Sequence, residues 1–187
     1  FVTFAIPQLF AQHKETRKVE DAIEVFRAFA KIPETRAPES MMNDARGVAI
    51  IPGVQKVGLI VGGEYGKGLI VVRNDDGSWG SPVFIVLKGG SIGLQIGVQT
   101  LDLVLSFQTK RGIEKVLEKG FTLGVDVSVA AGTFGRRAGA GTDPDLKAEI
   151  YSYSRSQGLF AGVTAAGARI EIDDEANSAY YGKAGIR

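Results

Sequence analysis

From Lys18 to Lys31 the apolar residues Val19, Ala22, Ile23, Phe26, Phe29 and Ala30 recur at intervals of three and four. That spacing predicts one amphipathic helix with its apolar face packed on a core, ended by Pro33. Its other face mixes Glu20, Asp21 and Glu24 with Arg27 and Lys31, which is not the uniformly basic face of a dedicated membrane-surface helix. The following IPETRAPES, rich in proline and charge, reads as a loop.

Beyond Ala45 the pattern changes to glycine-punctuated strands. LIVVR (69–73) and PVFIVLK (82–88) are joined by NDDGSWGS, in which Asp76-Gly77 predicts a hairpin turn. Ile92, Leu94, Ile96 and Val98 then alternate with glycine and glutamine, and Leu101, Leu103, Leu105 and Phe107 extend the alternation into a long or bent strand. Leu123, Val125, Val127 and Val129 alternate with Gly124, Asp126 and Ser128 and predict another strand. Between them TKRGIEKVLEKG (109–120) predicts a short helix, with Thr109 as N-cap, Ile113, Val116 and Leu117 as its stripe and Gly120 as terminator. EIYSYSRS, GLFAGV and ARIEID supply the last strands. The expected fold is α+β: a strongly curved, glycine-rich, barrel-like antiparallel sheet with an N-terminal amphipathic helix and a short helix near 109–120. Residues 18–187 are expected to form a single domain.

Residues 1–12 carry no charge and are mostly apolar, yet they fall short of the roughly 18–20 residues that a spanning helix needs. Residues 1–17 therefore read as an arm docked on the domain or as the remnant of a signal peptide, with Ala11 near a cleavage point. The second alternative implies an exported protein.

Composition narrows the chemistry. A net charge of +1 lacks the concentrated positive charge that duplex nucleic acid requires. The chain has no cysteine and a single histidine, His13, which argues against thiolate metal sites and against catalysis built on a positioned imidazole. No enzyme activity, cofactor or metal is expected. GGEYGKG (62–68) has three residues between Gly62 and Gly66 where a phosphate loop has four, and Gly68 stands where that loop has Ser or Thr, so a bent strand pair or a turn is the expected structure. Asp143 and Asp145, and the cluster Asp173, Asp174 and Glu175, lack calcium-loop spacing, and turn and capping roles suit Asp143 and Asp145.

The stretch YSYSRSQ, if extended, puts Tyr151, Tyr153, Arg155 and Gln157 on one face and Ser152, Ser154 and Ser156 on the other. Tyr153 and Arg155 then either face a ligand or serve the fold, Arg155 in an internal ion pair and the tyrosines capping the core. Arg136 and Arg137, adjacent in a glycine-rich segment, suit phosphate oxygens, and Lys56 and Lys67 join the same patch if the fold brings them together.

In their order, ARGVAIIPGVQKVGLIVGGEYGKGLIVVR, GGSIGLQIGVQTLDLVL, GVDVSVAAGTFGR, AEIYSYSRSQGLFAGV and the closing NSAYYGK resemble the SYLF domain family, also called the Ysc84-like lipid-binding domain. The resemblance spans roughly residues 20–182. It implies a noncatalytic domain that binds anionic phospholipid at a membrane surface, phosphoinositides in eukaryotic members, with actin filaments as a further partner of some fungal members. The chain resembles the stand-alone form common among exported bacterial members, for which actin is not expected as a partner. A protein-interaction module binding a filament or an envelope protein is the alternative. The lipid-binding candidates are Lys56, Lys67, Arg136, Arg137, Tyr153 and Arg155.

Overall fold

The structure, a computed structural model, describes residues 5–32, 43–58, 61–92, 97–132, 147–157, 159–163 and 165–185. Among these residues three helices, α1 (Ala5–Ala30), α2 (Lys110–Lys119) and α3 (Asp174–Tyr181), pack on one sheet. Its nine strands are β1 (Gly47–Gly58), β2 (Val61–Val72), β3 (Val83–Ile92), β4 (Gly97–Phe107), β5 (Phe121–Thr122), β6 (Val129–Ala131), β7 (Ile150–Ser156), β8 (Leu159–Gly162) and β9 (Ala168–Ile172). They lie in the order β5-β9-β3-β2-β1-β4-β7-β6, and β8 also pairs with β7. The β6–β7 ladder is parallel; the others are antiparallel.

The α+β class, the large glycine-rich sheet and both expected helices are present, but the sheet does not close into a barrel. β5 and β6 stand at opposite ends of the strand order with only residues 123–128 between them in the chain. Those residues make a turn instead of the strand that the alternation predicts. Gly124 adopts φ +77°, its N–H donates to the Val127 carbonyl at 2.8 Å, and the Asp126 carboxylate accepts from the Thr122 N–H at 2.7 Å. Val125 is left exposed. The alternation over 92–107 is divided too: Ile92 ends β3 and Val98 lies in β4, and β2 and β1 separate these strands in the sheet.

Because side chains alternate along a strand, the sheet sorts its apolar residues onto two faces. One face sends Ala49, Ile51, Ile70, Ile85, Leu105 and Phe107 into a core that Ile113 and Val116 of α2 cover. The opposite face presents Val48, Ile50, Leu69, Val104, Tyr151 and Tyr153 to Ala22, Val25 and Phe29 of α1. GGEYGKG lies within β2. The β1 register slips between Ile50 and Gln55, and this irregularity passes close over Gly66 and Gly68. A Cβ on Gly66 would stand 2.8 Å from the side chains of Ile51 and Val54, and one on Gly68 would strike the Ile50 carbonyl.

α2 matches its sequence signals: Thr109 caps it by accepting from the Gly112 N–H, and Gly120 ends it. α1 begins at Ala5, well before Lys18, and runs unbroken past residue 17; Pro7 falls in the first turn, where a missing N–H costs no helical bond. Its apolar stripe divides. Ala22 and Phe29 are buried, whereas Ile23, Phe26 and Ala30 are exposed, and Val25, which that stripe left out, is buried too. IPETRAPES, from Pro33 on, lies outside the described residues.

α3 was not foreseen. Asp173 caps it by accepting from the Ala176 N–H at 3.1 Å, and Gly182, at φ +68°, closes it. From its first turns Asn177 reaches the edge of β3: its Oδ1 accepts from the Phe84 N–H at 2.8 Å and its Nδ2 donates to the Phe84 carbonyl at 3.0 Å. The side-chain amide thereby extends the β3 ladder beyond the end of β9.

Candidate functional site

The structure gives the YSYSRS residues fold-making contacts. Tyr151 and Tyr153 are buried under α1, and the Phe29 ring packs edge-on against Tyr153, centroids 5.0 Å apart. Burial, and the nearby Tyr151 hydroxyl, push the Tyr153 hydroxyl far above its ordinary pKa, so it stays neutral. Ser152 Oγ lies within hydrogen-bonding reach of the carbonyls of Ala130 and Val163, which share its single O–H, where β6 and β8 both approach β7. Arg155 grips Asp102 through Nε and Nη2, each 2.7 Å from Oδ2, and its guanidinium lies over the Phe160 ring.

Lys56 and Lys67 are also ion-paired. Lys56 meets Glu64 at 3.0 Å, and Lys67 meets the buried Asp173 at 2.6 Å. The Asp173 bond raises the Lys67 pKa. Burial alone would lift the Asp173 pKa, but the bond from Lys67, the Ala176 N–H and the Lys67 charge outweigh it and hold the carboxyl below its usual range. Arg136 and Arg137 lie outside the described residues. The described candidates therefore do not form one open basic patch.

Two concavities lie elsewhere, around the β2–β3 hairpin. The first is an apolar groove of about 310 Å³ between α1 and the outer face of the sheet. Val48, Ile50, Leu69 and Val71 line it from the sheet, Val19, Ile23 and Phe26 from α1, and Trp79 from the hairpin. Ile23, Phe26 and Trp79 are 43%, 36% and 42% exposed, so apolar surface continues from the groove into solvent. Arg27 also lines it. The second is a polar cleft of about 280 Å³, lined by Arg46, Arg73, Asn74, Asp75, Lys110 and Glu114 among others. The Arg73 guanidinium sits over the Trp79 ring, 4.7 Å from its centroid, so this pair stands between the apolar groove and the charged cleft.

Sequence reasoning passed over these residues. Ile23 and Phe26 belong to a stripe that reads as wholly core-facing, and Trp79 lies inside a turn signal; a tryptophan in the otherwise polar NDDGSWGS was the clue available. Arg46, Arg73 and Lys110 are far apart in the chain. Among the described residues no helix is long and apolar enough to cross a membrane.

The fold thus defines an α+β domain that presents an open apolar groove beside a charged cleft. The family model described as "Ysc84: Las17-binding protein actin regulator" matches residues 88–187, and the chain belongs to this family, whose domain is also called SYLF. The LAS seventeen-binding protein 3 of Saccharomyces cerevisiae is 38% identical over 148 residues, covering 78% of this chain and 32% of that protein. Protein YSC84 of the same yeast is 36% identical over 176 residues, covering 90% of this chain and 37% of its own length. The SH3 domain-containing YSC84-like protein 1 of Homo sapiens is 32% identical over 170 residues, covering 88% of this chain and 49% of its own. The chain spans about a third to a half of these curated relatives. The family is described by binding and regulation, not by a catalysed reaction.

Proposed function

We propose that the domain is a noncatalytic attachment module for anionic phospholipid surfaces. The observation that carries this reading is the groove: an open apolar concavity whose exposed rim, Ile23, Phe26 and Trp79, is bordered by Arg27 and Arg73. Apolar and aromatic side chains enter the interfacial region of a bilayer while arginines meet lipid phosphates. Each cation near an anionic surface contributes about 1 kcal/mol, so a few give reversible attachment that weakens with salt. Arg136 and Arg137 remain proposed headgroup contacts, on sequence grounds. Lys56, Lys67 and Arg155 are engaged by carboxylates and Tyr153 is buried, so a headgroup competes with partners these residues already have. An exported, membrane-peripheral location belongs to the same proposal.

The test is flotation of the full chain with neutral and with anionic vesicles at low and high salt, comparing wild type with Phe26→Ser/Trp79→Ala. Wild type is expected to float with anionic vesicles and to release in salt, and the variant to bind at least about tenfold more weakly. Failure of the wild type to float under any condition would sink the lipid reading.

A protein partner is the second reading, and the relatives named for Las17 binding favour it. It assigns the groove to a segment of a cytoskeletal regulator or filament. Co-sedimentation with actin filaments, and capture by such a regulator in the absence of lipid, measure it directly.

A further inference from the structure

We propose that the polar cleft beside the groove is a phosphomonoester site, an inference that rests on reading the groove as lipid-facing. The cleft gathers three cations from three separate elements: Arg46 just before β1, Arg73 at the end of β2 and Lys110 at the start of α2. Arg46 is exposed, and its guanidinium makes no ion pair among the described residues. Arg73 is oriented by its bond to the Asn43 carbonyl and by the Trp79 ring. Lys110 is held by Asp75 at 2.8 Å, but the two side chains are 65% and 88% exposed, so this pair is readily exchanged for another anion.

The carboxylates in the cleft decide which anion that is. Asp75 and Glu114 set two negative charges against the three positive ones. A phosphodiester brings one negative charge and offers Lys110 little more than Asp75 already does. A phosphomonoester brings about −1.5 to −2 charges and three strong acceptor oxygens, enough to draw Lys110 from Asp75 and still engage the arginine forks. An apolar groove lies just beyond Trp79, so the chemistry that fits both concavities is an amphiphile with a terminal phosphate. A free phosphomonoester shares the headgroup chemistry without the tail.

The experiment uses the full chain in three arms: vesicles of phosphatidylcholine with phosphatidic acid, vesicles of phosphatidylcholine with phosphatidylglycerol, and soluble glycerol phosphate. Each arm compares wild type, Arg46→Gln/Lys110→Gln, and a charge-matched Lys14→Gln/Lys183→Gln control, all checked for thermal unfolding. Wild type and control are expected to prefer phosphatidic acid over phosphatidylglycerol by about fivefold, the worth of roughly one added charge near the cations. The Arg46→Gln/Lys110→Gln variant is expected to bind phosphatidic acid vesicles about 25-fold more weakly and to lose the preference. Equal wild-type binding to both anionic vesicles, or a preference that survives in that variant, overturns the site while leaving the lipid reading intact. Glycerol phosphate bound by wild type, weakly by the variant, with no flotation on any vesicle, supports the site with a soluble source and removes the lipid reading.

Discussion

Asn177 offers the sharpest test of how the sheet is held. In Asn177→Ala the Phe84 carbonyl still accepts from the Asp173 N–H at 2.9 Å, and the Asp173 carbonyl still accepts from the residue-177 N–H at 2.9 Å. The Phe84 N–H, in contrast, loses the Asn177 Oδ1 and is left in a buried site without its partner. An unsatisfied buried donor costs about 1–3 kcal/mol, and the two bonds lost from Nδ2 add about 0.5–1.5 kcal/mol each. Alanine's better helix propensity returns up to about 0.7 kcal/mol. The expected loss is about 1–6 kcal/mol, and each kcal/mol lowers Tm by about 2–4 °C for a chain of this size. Urea denaturation followed by far-UV circular dichroism measures it. Asn177→Asp keeps an acceptor for Phe84 but turns a buried donor into a charge facing two carbonyls. It is expected to be at least as destabilised at neutral pH and to recover partly in acid, where a protonated carboxyl donates again. A loss below about 1 kcal/mol for the alanine variant, or no acid recovery in the aspartate variant, would refute the claim that this amide completes the β3 ladder.

Three further expectations follow from geometry described above. Gly68→Ala drives a methyl group into the Ile50 backbone carbonyl, which has no rotamer to escape through, and is expected to cost at least about 3 kcal/mol or to prevent folding, read as loss of the cooperative transition. The lowered Asp173 pKa means that its stabilisation is full above the unfolded-chain value of 3.8 and is lost as pH falls through the folded value; acid titration of stability should therefore be shallower in Asp173→Asn, and parallel curves would contradict the assignment. For Arg155 and Asp102 a double-mutant cycle with alanine at each position should give a coupling of about 1–3 kcal/mol by urea denaturation, and a coupling near zero would mean that the pair does not hold β4 to β7.

Local signals were legible wherever a turn or cap is written in adjacent residues. Asp76-Gly77 marks the β2–β3 hairpin, Gly77 indeed adopting φ +85°, and Thr109 with Gly120 brackets α2. The alternation of YSYSRS gives the two faces of β7. Illegible were the choices made by distant partners. Lys67 and Asp173 stand 106 residues apart and Arg155 and Asp102 stand 53 apart, so no window of sequence reveals that these cations are already paired. The strand expected at 123–129 was lost because Gly124 and Asp126 turned an alternating pattern into a turn, a use of glycine that hydrophobic periodicity does not register. The groove was hidden for a similar reason: helical spacing tells that Ile23 and Phe26 are apolar and near Ala22, but not where the sheet beneath α1 ends.

The strand order also governs how this chain is made. β9, the last strand, lies between β5 and β3, and β4 must pass β2 and β1 before it finds its place. A nascent chain emerging from the ribosome therefore holds β3 with one bare edge until residues 168–172 arrive, and Asn177 seals that edge only after them. Pairings so distant in sequence form slowly, and an open edge is a template for aggregation meanwhile. Shortening the chain by its last twenty residues should therefore cost soluble yield far more than removing the same length from its start.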